Sequence, residues 1–155
     1  MTELVSTANR ILAVGVHTHV CALPLMQVIE TMRPLPVEPI VGVPSFVRGV
    51  SIVRGVPTPV VDLGALLGMP GGVAGRFVTL RVGERQVALS VQAVLGVHNL
   101  DSSKIQKLPP LFQEASNDVI EAMGTLDTQL LVVLRQGWAL PDEVWKALAV
   151  DEVFG

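Results

Sequence analysis

The chain has 155 residues, half of them apolar and 16% charged, with a formal net charge of −3. That length accommodates one domain or two small fused units and buries roughly 70% of the surface its unfolded form exposes, which argues against disorder. The acidic balance and scattered basic residues exclude a nucleic-acid footprint or a polybasic membrane patch, and no apolar run reaches the ~20 residues of a membrane span. The N-terminal MTELVSTANR lacks the charged and apolar regions of a signal peptide, and a single cysteine excludes an internal disulfide. The expectation is a soluble, cytoplasmic protein.

Valine, isoleucine and leucine recur in short runs punctuated by Gly and Pro, the pattern of many short strands. Ile11 to Val16 and Val20 to Leu25 flank His17-Thr18-His19 as a hairpin. Then comes GVSIVRGVPTPVVDL (49–63), an apolar strand from Val50 to Arg54, a turn, and a returning strand. Alternation places Val50, Ile52 and Arg54 on one face, so the guanidinium must reach water at a rim or find a polar partner. Asp62 caps a short helix, Leu63 to Leu67, with Gly68 just past its end. GMPGGVAG (68–75) reads as a linker. Arg76 to Val82 and Gln86 to Val91 flank Gly83-Glu84-Arg85 as another hairpin. Asn99 to Asn117 reads as an irregular segment. A last helix starts near Pro141, with Asp142 and Glu143 in its first turn and Val144, Trp145 and Leu148 as its apolar stripe.

The two hairpins read as copies. VCALPLMQVIE from Val20 aligns with QVALSVQAVLG from Gln86 at an offset of 66 residues, with Ala22/Ala88, Leu23/Leu89 and Val28/Val94 identical. A weaker echo sets residues 47–61 against 120–134. The chain therefore divides into related β units at 10–75 and 76–135, followed by a helix and tail over 136–155.

No constellation for catalysis emerges. His17 and His19 could share a strand face, but no Cys, Asp or Glu lies near in sequence to complete a metal site. Cys21 sits within an alternating strand, where a small buried thiol is the ordinary case. The glycine-rich linker lacks a G-K-[S/T] ending and follows a helix rather than preceding one. The residues predict no cofactor, no metal and no enzyme.

Over nearly its whole length the sequence resembles CheW, the coupling protein family of bacterial chemosensory arrays. The resemblance rests on Val28-Ile29-Glu30 and on Pro44 to Leu63, where Gly49, Arg54, Gly55, Pro59 and Asp62 fall in register with the family's long middle motif. Val91 to Val97 and Leu130 to Leu134 match weaker, valine-rich parts of the pattern. The chain departs from it at Cys21, Ile52, Gln92 and Arg135. The resemblance implies a mainly β fold of two five-stranded SH3-like barrels packed together, with short helices including one at the C-terminus. It implies an adaptor that binds the regulatory domain of a CheA-type histidine kinase and the cytoplasmic tip of a chemoreceptor. Receptor binding is expected at Val28, Glu30, Arg54, Gly55 and Val97. Kinase binding is expected on an apolar face around Met26, Arg48, Val50 and Val56. The alternatives are a self-assembling barrel that forms rings without a kinase, and a small Cys/His-dependent enzyme.

Overall fold

The computed structural model describes residues 10–69, 74–100, 105–107, 120–126, 129–134 and 140–154. Residues 70–73 of the expected linker and most of the segment 99–117, as well as Arg135, lie outside these residues. The strands are β1 (Arg10–Val16), β2 (His19–Pro24), β3 (Val28–Met32), β4 (Val47–Val53), β5 (Val56–Asp62), β6 (Arg76–Val82), β7 (Arg85–Val91), β8 (Ala93–Asn99), β9 (Ile105–Lys107), β10 (Ile120–Leu126) and β11 (Gln129–Leu134). A 3-10 turn at Leu25–Gln27 leads into β3, helix α1 is Leu63–Leu66, and helix α2 is Asp142–Phe154. Asp62 caps α1 as its sequence position predicts: Ala65 N donates to its Oδ1 at 3.2 Å. Both expected three-residue hairpin turns are shorter, because His19 and Arg85 already begin β2 and β7.

The strands form two hydrogen-bonded sheets, one ordered β3-β6-β7-β5-β4 and the other β8-β1-β2-β11-β10-β9. The duplication read from the sequence holds at the level of register. Shifting β1 and β2 by 66 residues, from Arg10 to Arg76, turns every β1–β2 pair into a β6–β7 pair and the central β1–β8 pairs into β6–β3 pairs: Val16↔His19 becomes Val82↔Arg85, and Ile11↔His98 becomes Phe77↔Met32. Shifting β4 and β5 by 73, from Val47 to Ile120, turns Val53↔Val56 into Leu126↔Gln129. The parallel joints correspond as well, Val60↔Ala88 in one sheet and Val133↔Ala22 in the other. Even the β-bulges recur, between Val28 and Glu30 opposite β6 and between Ala13 and Val14 in the β1–β8 pairing.

The repeats exchange hairpins. β1–β2 of the first repeat joins β8, β10 and β11 of the second, while β6–β7 of the second joins β3–β5 of the first. The division at 75/76 thus follows the repeats, and the hydrogen-bonded sheets do not follow it. The second sheet also has a strand beyond the expected five. β9 pairs with β10 at Met123↔Gln106, where the first sheet has only the isolated Glu38↔Val50 bridge on β4.

Period-two alternation distributes the core. Leu12, Val14, Cys21 and Leu23 point with Val61, Val78, Val87 and Leu89 into one shared cluster between the sheets, which Val144 and Leu148 join from α2 and Leu140 from just before it. The intervening residues fill separate interiors, Ile11, Ala13, Val20, Ala22, Leu131 and Val133 in one barrel and Val60, Phe77 and Ala88 in the other. These are the two SH3-like barrels the resemblance implies. The Arg85 guanidinium lies 4.6 Å from the centroid of the Trp145 ring, an added tie between β7 and α2.

Candidate functional site

Gly49 prepares one edge of the first barrel. Its φ is +149°, and a Cβ there would overlap the carbonyl of Glu38. Without a side chain at Gly49, Glu38 exchanges two 2.8 Å backbone hydrogen bonds with Val50 and covers the outer edge of β4. Ser51, on the same inward row as Gly49, donates to the Pro36 carbonyl at 2.6 Å. The inward residues of β4 are Val47, Gly49, Ser51 and Val53, while Ile52 faces outward and is 61% exposed.

Arg54 is not the end of that strand, as alternation predicts. β4 stops at Val53, and Arg54 and Gly55 form the two-residue turn with φ of 48° and 81°. Positive φ at both positions matches the right-handed twist of the flanking strands. Glycine adopts it freely, whereas for arginine it is an uncommon conformation. Here the guanidinium is held. Arg54 Nε donates to Glu30 Oε2 at 2.6 Å and its Nη2 to Glu30 Oε1 at 2.8 Å, a two-pronged pair. The Arg54 side chain is 77% exposed and that of Glu30 25%. The hydrogen bonds and charge of Arg54 hold the Glu30 carboxyl below its ordinary range, and Glu30 raises the Arg54 pKa in turn.

Around this pair the sequence places apolar side chains in the open. Ile29, beside Glu30, is the residue set apart by the β3 bulge and is exposed. Ile52 and Val56 flank the turn, and Met26 precedes β3 with 68% of its surface exposed. Sequence reading passed over Ile29, although its position inside Val28-Ile29-Glu30 was the available signal. Val28 and Val50 are only half open and pack against the shared core. Arg48 Nη2 donates to Asp62 Oδ2 at 2.8 Å, so Asp62 serves both as helix cap and as ion-pair partner.

Val97 stands apart from the other expected receptor residues. It lies exposed on β8 in the other sheet, beside exposed Leu95. By the repeat, Leu95 corresponds to Ile29, Gly96 to Glu30 and Val97 to Thr31. The structure therefore brings Glu30, Arg54 and Gly55 together and leaves Val97 on the equivalent edge of the second barrel.

The histidines do not share a strand face. His17 occupies the β1–β2 turn with φ of 55° and donates through Nε2 to the Met69 carbonyl at 2.9 Å, while His19 begins β2. Among the described residues no group of three or more His, Cys, Asp or Glu side chains could hold a metal ion. Cys21 is buried, and burial pushes its thiol up to about 12, so the nucleophilic thiolate is suppressed. Among the described residues no helix is long and apolar enough to cross a membrane.

The family model for the CheW-like domain matches residues 10–138. A chemotaxis protein CheW of Klebsiella aerogenes is 26% identical over 98 residues, spanning 61% of this chain and 59% of that protein. A chemotaxis protein CheW of Rhizobium meliloti is 25% identical over 122 residues, spanning 77% of this chain and 79% of that protein. Among solved structures, the scaffolding protein TtCheW from Thermoanaerobacter tengcongensis aligns with a TM-score of 0.70 over 83% of this chain and 89% of that one, at 20% identity. The paired barrels, the R-G turn and the span of the family model agree, and the chain belongs to the CheW-like domain family.

Proposed function

We propose that this protein is a non-enzymatic adaptor that couples the cytoplasmic tip of a chemoreceptor to the regulatory domain of a CheA-type histidine kinase, in the cytoplasm beneath a receptor array. The observation that carries the reading is the Arg54–Glu30 pair at a barrel rim, with Ile29, Ile52 and Val56 exposed next to it in sequence. A fixed guanidinium bordered by apolar side chains offers directional donors and burial together, the combination that makes binding hot spots. Glu30, Arg54 and Gly55 form the receptor contact with Val28 beside them on β3, and Val97 adds to it from the equivalent edge of the second barrel. Met26 and Val56 form the kinase contact, with Arg48 and Val50 at its margin. The buried Cys21 and the separated histidines speak against the enzyme alternative.

The test is a three-component binding experiment with purified chain, a receptor signalling-tip fragment and the kinase regulatory domain. The expected result is micromolar binding to each partner and a ternary complex on size exclusion. Absence of binding to either partner overturns the coupling role. Concentration-dependent assembly of the chain alone, with no kinase binding, would favour the self-assembling barrel instead.

A further inference from the structure

The same β-bulge occurs once in each barrel, and the two copies are accommodated by different chemistry. In the second barrel the residue after the bulge is Gly96, opposite Ala13, and its φ is 110°. That conformation is open to glycine and strained for other residues. In the first barrel the residue after the bulge is Glu30, opposite Thr79, and Glu30 is not among the residues with positive φ. Instead, Glu30 N donates to Thr79 Oγ1 at 3.2 Å, and Thr79 Oγ1 donates to the Glu30 carbonyl at 3.3 Å. Thr79 is fully buried, so its hydroxyl has no solvent to turn to.

We infer that Thr79 is the positioning residue of the paired-charge site: its hydroxyl clamps both backbone groups of Glu30 at the bulge and thereby presents the carboxylate to Arg54. Thr79 touches no partner and acts only through Glu30. The repeat explains why one barrel carries the site and the other does not. Ala13 has no hydroxyl, and the position it faces is filled by a glycine with no side chain to present. The Thr79/Glu30 combination is thus one solution to the bulge and Ala13/Gly96 is the other; only the first can display a charged group. The role of this site in receptor binding rests on the function proposed above, whereas the clamp itself is a property of the isolated chain.

The experiment uses the full chain with no partner and reads the Glu30 carboxyl by NMR titration together with thermal unfolding. In Thr79→Ala the Glu30 titration is expected to move up toward the ordinary carboxylate range and the melting point to fall. Thr79→Ser, which keeps the hydroxyl, is expected to restore both. Adding Glu30→Gly to Thr79→Ala rebuilds the combination of the other barrel, and should recover part of the lost melting temperature. If Thr79→Ala does not fold, recovery of a folded chain on adding Glu30→Gly supports the clamp, and failure to recover overturns it. In a folded Thr79→Ala chain, an unmoved Glu30 titration overturns the inference, as does a melting loss that Glu30→Gly leaves unreduced. Receptor-tip affinity of Arg54→Asn, measured separately, tests the functional reading, so the two can fail independently.

Discussion

Glu30 and Arg54 belong to opposite margins of one sheet, Glu30 on edge strand β3 and Arg54 at the tip of edge strand β4, and their two-pronged ion pair joins those margins. The outer edge of β4 is covered by the backbone bonds of Glu38 to Val50, and the charged pair bridges the two margins at the surface. Exposed ion pairs add little stability because water and salt screen them. The arrangement is better placed to orient a guanidinium than to hold the barrel together. The stability resides in the apolar cluster shared by both sheets.

Replacing Arg54 by Asn separates the turn from the charge. Asn tolerates positive φ, so the β4–β5 turn should persist and the melting point should change little. Receptor-tip affinity should fall roughly 10- to 100-fold if the guanidinium is a hot spot. Kinase-domain affinity should stay within about threefold, a difference worth under ~1 kcal/mol. Equal losses toward both partners would place Arg54 in a structural role.

Acid should dissolve the same pair. The Glu30 pKa is depressed in the folded chain, so its contribution to stability is present above the ordinary carboxylate pKa and is lost as pH falls through the lowered folded value. The effect should be small and should shrink further at high salt, because both groups are solvent-accessible. Glu30→Gln should remove this part of the acid dependence. Melting curves across the acidic range at two ionic strengths provide the measurement, and identical curves for the variant and the parent would refute it.

Gly49→Ala should be among the most damaging single changes outside the core. The added Cβ overlaps the Glu38 carbonyl, and the backbone is in a positive-φ conformation. A loss of about 2–4 kcal/mol is expected from the combined strain and overpacking. Gly55→Ala also has positive φ but meets nothing within 4 Å, and should cost less. Denaturant melts of the two variants give the comparison; equal losses would show that φ alone decides.

The hairpin exchange predicts a single unfolding transition. Leu23 and Leu89 are repeat equivalents, both fully buried in the cluster between the sheets. Truncating either to Ala should cost about 2–5 kcal/mol and destabilise both barrels together. Far-ultraviolet dichroism and tryptophan fluorescence should report coincident midpoints in the parent and in each variant. Two separated transitions would show that the barrels unfold independently.

Much of this was written in one dimension. The strand runs, the Asp62 cap and the offset of 66 residues are local or periodic signals, and the hairpin strands β1, β2, β6 and β7 obey them within a residue of their ends, whereas β4 begins three residues before the expected Val50. The family motif is equally local, so Glu30, Arg54 and Gly55 could be singled out from residue identity and spacing. Partner strand choice could not. β1–β2 and β6–β7 carry the same alternation of inward and outward residues, and either hairpin's pattern suits either sheet. Which sheet each joins depends on contacts between residues far apart in the chain, and that exchange became visible only in the folded molecule. The departure of Arg54 from the strand was decided by the two positive-φ turn residues. The encounter of Arg54 with Glu30, 24 residues away, was decided by sheet closure. The role of Thr79 lay hidden for the same reason: a threonine in an apolar strand shows nothing until the bulge opposite it is placed. Alternation tells a side chain which face to take, and only closure of the sheet tells it what it will meet there.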